Sequence, residues 1–230
     1  MTVPSIAITL TIAVSLLSGQ IVLRCDTSEQ GQSDRFGKPT TQAPLPPGHR
    51  RVQKQRGQPI DAQVRPDDNE VILLDFGWSD LSAVPEGQSA LSIMIAASDF
   101  VGVGRVTRMN GRLTEQGDDI ESVVTISVSE VLKGNPTDTQ TFVFPDGEVR
   151  IGKTRVRVER PGAFPLVPKD TVLVFASIKD GELRTNHRGT FRIANNQVTP
   201  LMQGHPLTDT RDVAIVLERA REAATALRKR

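Results

Sequence analysis

The sequence predicts a mainly β fold: a small five-stranded, OB-like Greek-key barrel, with a short helix before the first barrel strand and a C-terminal α-helix. Three observations carry that expectation. After residue 98, apolar residues recur with a period of two in several short runs, as in half-buried strands. Gly, Pro, Asn and Asp separate those runs at turn positions. Helical spacing appears only in residues 89–98 and in the tail, and many short strands between regular turns point to a barrel or sandwich.

The elements follow in order. Residues 1–24 have no charged side chain before Arg24, and residues 6–23 are largely apolar, so this stretch reads as a signal peptide or a membrane anchor. It has no basic n-region and no small residues at a cleavage site, so either reading stays open, and residues 1–23 would meet the membrane if uncleaved. Residues 25–69 read as a disordered linker, because they combine Pro, Gly, Gln and charge with few large apolar residues. The barrel domain is expected over 70–205, starting with the apolar run VILLDF at 71–76.

In SALSIMIAAS (89–98), Leu91, Met94 and Ile95 fall at helical spacing. The strand DFVGVGRVTRM (99–109) carries Gly102 and Gly104 on one face, which predicts a sharp bend or the close approach of another backbone. In ESVVTISVSEVLKG (121–134), Val124, Ile126 and Val128 point one way, until Glu130 interrupts that face. A bulge near Ser129 would pass the inward role to Val131 or Leu132, leaving Glu130 and Lys133 at a rim. QTFVFPDG (140–147) is a strand ending in a turn, and EVRIGKTRVRVER (148–160) is a hairpin around Gly152 and Lys153. In DTVLVFASIKDGELRT (170–185), Leu173 and Phe175 occupy one face and Val172, Val174 and Ile178 the other, which predicts a central strand. GTFRIANNQVT (189–199) closes the sheet. The last segment, 206–230, is an amphipathic helix with the stripe Val213, Leu217, Ala220, Ala224 and Leu227, with Thr208 or Asp209 as cap.

Composition excludes some chemistry. The single cysteine, Cys25, rules out an intrachain disulfide and a thiolate metal cluster. His49, His187 and His205 have no second ligand at metal spacing, so no metal and no cofactor are expected. A net charge of +1 gives no global field that selects nucleic acid or an anionic surface. The one patterned charge is the hairpin: Arg150, Lys153, Arg155, Arg157 and Arg160 form the candidate surface for an anionic partner. That hairpin has no aromatic residue for base stacking, which disfavours nucleic acid.

The segments ASDFVGVGRV, VTISVSEVLKG, PLVPKDTVLVFAS and GTFRIANNQV resemble a family of uncharacterised exported bacterial proteins that are similar to the netrin/tissue-inhibitor-of-metalloproteinase type of OB-fold. The matching positions are Ser98, Asp99, Val101, Gly102, Val103, Val131, Leu132, Lys133, Gly134, Gly189, Phe191 and Ile193, spanning residues 88–200. The resemblance implies a five-stranded barrel and no established activity. Tissue inhibitors act through an amino-terminal cysteine held by disulfides, whereas Cys25 follows Arg24 and precedes the linker, so that route does not carry over. The expected function is a non-catalytic exported module that binds a protein or an envelope polymer. The alternatives are an envelope hydrolase using rim carboxylates, or an OB-fold holding an anionic polymer through 148–160.

Overall fold

The computed structural model describes residues 45–76, 90–203 and 211–228. Eleven strands and two α-helices lie among them: β1 (His49–Gln53), β2 (Glu70–Leu74), α1 (Ala90–Ala97), β3 (Phe100–Leu113), β4 (Ile120–Lys133), β5 (Thr139–Pro145), β6 (Glu148–Ile151), β7 (Thr154–Glu159), β8 (Thr171–Lys179), β9 (Glu182–Arg184), β10 (Thr190–Ala194), β11 (Gln197–Pro200) and α2 (Val213–Arg228). They build a four-stranded sheet, β1-β2-β7-β6, and a seven-stranded sheet, β11-β10-β8-β3-β4-β5-β9, whose edge strand β9 also pairs with the end of β8. The expected mainly β, five-stranded Greek-key barrel is therefore corrected to a mixed α/β fold of two sheets and two helices.

The main cause is the segment assigned to the linker. His49–Gln53 pairs in parallel with β2, and β2 pairs in parallel with β7. The hairpin at 148–160 thus belongs to a separate sheet together with residues that composition alone placed outside the fold. Polar composition misled because Val52, Ile60 and Val64, although sparse, supply enough apolar surface when Val71, Leu73, Val156 and Val158 complete the cluster. Residues 1–24 lie outside the described residues. No helix among the described residues is long and apolar enough to cross a membrane, and the expected signal peptide or membrane anchor falls on the residues outside them.

The seven-stranded sheet buries both faces of β8. Leu173 and Phe175 join α1 and α2 in one cluster, with Leu91, Ile95, Phe191, Val216, Ala220 and Ala224. Val172, Val174 and Ala176 face the other way, onto Val106, Val124, Ile126, Phe142 and Phe144. Fully burying one such aliphatic or Phe side chain contributes about 1.5–3 kcal/mol. Ile178, expected to continue that second face, is 62% exposed because β8 there leaves the core to pair with β9.

The β3–β4 pair is irregular in three places, with register shifts at Val101/Gly102, Val103/Gly104 and Val106/Arg108. Val103 opposes Glu130 and Gly104 opposes Val128, so Ser129 is an extra residue in β4. The next shift leaves Leu132 as the residue that is buried. A Cβ on Gly104 would meet Ser127 O at 2.6 Å, which explains glycine at that bend. Helix α2 begins later than its sequence signals, and Asp212 Oδ1 accepts from the N–H groups of Ala214 and Ile215 at 2.9 and 3.3 Å. The expected caps Thr208 and Asp209 lie outside the described residues.

Candidate functional site

Of the expected cationic surface, Arg150, Lys153, Arg155 and Arg157 lie on the β6–β7 hairpin, with Arg150 opposite Arg155, whereas Arg160 is turned inward. Arg160 sits at the end of β7, is buried, and bonds to Asp146 and, through Nη2, to Asp119 Oδ2 at 2.8 Å. Arg155 pairs with Glu148 at 2.5 Å, and Arg157 with Glu159 at 3.2 Å. Arg150 and Lys153 are exposed and meet no carboxylate among the described residues. In-strand alternation of charge told which residues point outward but not that glutamates on the same sheet would neutralise them.

Arg160 instead anchors a charge cluster that the sequence did not reveal. Lys54 Nζ lies 2.9 Å from Asp119 Oδ1 and 3.8 Å from Asp75 Oδ2. Arg160 Nε lies 3.6 Å from the same Asp75 oxygen. His187 is fully buried, its Nε2 is 2.5 Å from Asp146 Oδ2, and its ring packs edge-on against Phe144. Asp146 takes up this double contact at φ +140°, a strained backbone for a residue with a side chain. The carboxylates come from the ends of β2 and β5 and the start of β4, so the cluster ties one sheet to the other. Its groups satisfy each other at close range, as buried charges must.

A second ring of charge lies on the outside of the seven-stranded sheet. Arg112 pairs with Glu121 and Glu182 at 2.7 Å each, and Arg184 pairs with the same two carboxylates at 2.9 Å each. Hydrogen bonds from Arg112 hold the Glu182 carboxyl below its ordinary range, against the opposing effect of burial.

Beyond that ring, the outer face of β3, β4 and β5 carries an ordered set of exposed polar groups. Arg108 stands opposite Thr125, and Thr125 opposite Thr141; Arg105 stands opposite Ser127, and Ser127 opposite Thr139. These side chains are exposed or half-buried, while Val106, Ile126 and Phe142 on the same strands point into the core. The bulge at Thr107 matters here: it returns Arg108 to the side of the sheet that Arg105 occupies. Thr125 and Thr141 hydroxyls are 3.3 Å apart, and Thr107 Oγ1 donates to the Thr125 backbone carbonyl at 3.1 Å. Arg108 Nε donates to the Asn110 amide oxygen at 2.9 Å in the orientation that satisfies that amide. Neither Arg105 nor Arg108 meets a carboxylate among the described residues.

The sequence contained the outward hydroxyls of VTISVS and TQTFVF in its alternation. It did not contain the cross-strand register that lines them up with two arginines. Glu130, which interrupts the inward face of β4, pairs with Arg221 of α2 at 2.7 Å. Lys133 Nζ donates to Ile95 O at 2.7 Å and Ala96 O at 3.2 Å at the end of α1. These two residues each dock a helix onto the end of β4. No family model matches the chain, and no curated protein matches it.

Proposed function

We propose that this protein is a non-catalytic, exported binding module whose contact surface is the outer face of β3, β4 and β5. The observation that carries the reading is the alignment of Arg105 and Arg108 with hydroxyl rows across three adjacent strands. A sheet surface with rows of hydroxyls, and with guanidinium groups not already paired to carboxylates, suits recognition of an extended partner. The hydrolase alternative needs a carboxylate poised to exchange protons with a substrate. Asp75, Asp119 and Asp146 are each held by Arg160, which favours a structural role for them. Export rests on the apolar stretch at residues 6–23.

The test is a panel of envelope polymers incubated with the full chain, with retention and polymer length followed in the same samples. The expected outcome is saturable retention of at least one polymer with its length unchanged, and loss of that retention in an Arg105→Ala, Arg108→Ala variant. Shortening of any polymer would contradict the non-catalytic reading.

A further inference from the structure

The chemistry of the β3–β4–β5 face narrows the kind of partner it fits, and this step rests on the reading of that face as the contact surface. We infer that the face binds an acidic polysaccharide, a hydroxyl-rich chain whose charges are carboxylates. Two properties lead there. Arg105 and Arg108 lie on one side of β3, separated by one inward residue and one bulge residue, so their backbone positions fall roughly 7 Å apart along the strand. Each presents a planar fork that can take a carboxylate through two parallel hydrogen bonds. Beside them, Thr125, Thr141, Ser127 and Thr139 continue the two rows at strand spacings of about 4.8 Å.

Hydroxyl side chains both donate and accept, and so do sugar hydroxyls. A polyanion without hydroxyls would use the arginines and leave these rows with water. A neutral glycan would use the rows and leave two guanidiniums without a counter-charge. Only a chain carrying both kinds of group engages the whole face. Single-stranded nucleic acid also carries both, but its affinity comes largely from stacking its bases on aromatic side chains. The outward positions of these rows are Arg, Thr and Ser, and Phe142 and Phe144 are turned into the core. Of the acidic residues near the face, Glu121 and Glu182 are engaged by Arg112 and Arg184 and Asp170 by Arg192 at 2.8 Å, while Asp138, beside Thr139, is exposed at its edge.

The experiment is a titration of the full chain with polygalacturonate, alongside dextran as the neutral chain, polyacrylate as the polyanion without hydroxyls, and single-stranded DNA. Polygalacturonate is expected to bind most tightly, at least tenfold more weakly in the Arg105→Ala, Arg108→Ala variant, and more weakly as salt rises. A Thr125→Val, Thr141→Val variant, which keeps β-branched residues in the strands, is expected to lose several-fold affinity for polygalacturonate and none for polyacrylate. An Arg150→Ala, Lys153→Ala variant should bind as the parent does. Equal or tighter binding of polyacrylate, dextran or DNA overturns the assignment to acidic polysaccharide, as does an unchanged affinity in the Arg105, Arg108 variant. If one of those other polymers binds and the arginine variant loses it, the face remains the contact surface and only the ligand class falls. Thermal melts of each variant, expected to match the parent, separate lost binding from lost folding.

Discussion

Asp68 shows how a single side chain in a segment with linker-like composition carries structure. It is buried and takes two hydrogen bonds from Arg50, at 2.6 and 2.7 Å, and one from the Arg65 N–H at 2.7 Å. The Arg50 hydrogen bond is the largest reason its carboxyl lies below the ordinary range; burial opposes that effect, and the Arg65 amide adds to it. A carboxylate with a depressed folded pKa contributes stability above its unfolded value of about 4, and that contribution disappears as pH falls through the lower folded value. Asp68→Asn should therefore cost about 3–5 kcal/mol at pH 7, as expected for one partner removed from a buried pair. In chemical denaturation at decreasing pH, that cost should shrink steadily below about pH 4. Gly111 is a second case. A Cβ there would sit inside van der Waals distance of the Glu148 backbone carbonyl, where β3 passes β6. Gly111→Ala should cost roughly 1–3 kcal/mol by overpacking, read from the denaturation midpoint. Neither effect is legible in the sequence, because both depend on a partner far along the chain.

At the scale of elements, much of the pattern was legible and the pairing was not. The stretch SVSEVLKG illustrates both. Its interruption at Glu130 correctly located a bulge at Ser129 and a strand end, since a period-two face cannot absorb a carboxylate without changing register. What it could not contain was the destination of the two charges, one on each helix. Lys133 bonds the last carbonyls of α1, which carry the negative end of that helix's dipole. Lys133→Met should keep the aliphatic packing and lose roughly 1 kcal/mol, visible as faster hydrogen exchange in Ala90–Ala97. The candidate face follows the same rule. Alternation within β4 set Thr125 and Ser127 opposite the inward face, but the pairing with β5 adds Thr139 and Thr141, and the bulge at Thr107 decides that Arg105 and Arg108 join them.

At the scale of the whole molecule, two sheets are held by a charge cluster whose residues run from Lys54 to His187. Lys54, Asp75, Asp119, Asp146, Arg160 and His187 are dispersed in sequence, so no local motif announces them, and the expectation of one barrel left no interface for them to occupy. Arg160→Met should destabilise the protein by about 3–5 kcal/mol, because three carboxylates lose a buried partner. Asp146→Asn in the same chain should recover part of that loss, so the two substitutions are non-additive in denaturation. The contact surface we propose is the outer face of β3, β4 and β5, where Arg105 and Arg108 align with the hydroxyl rows. Amide chemical-shift mapping of the full chain during addition of polygalacturonate tests that claim most directly. Shifts should concentrate in the rows of Arg105, Arg108, Thr125, Ser127, Thr139 and Thr141 and leave Glu148–Glu159 unmoved. Shifts centred on that hairpin, or spread evenly over both sheets, would contradict it.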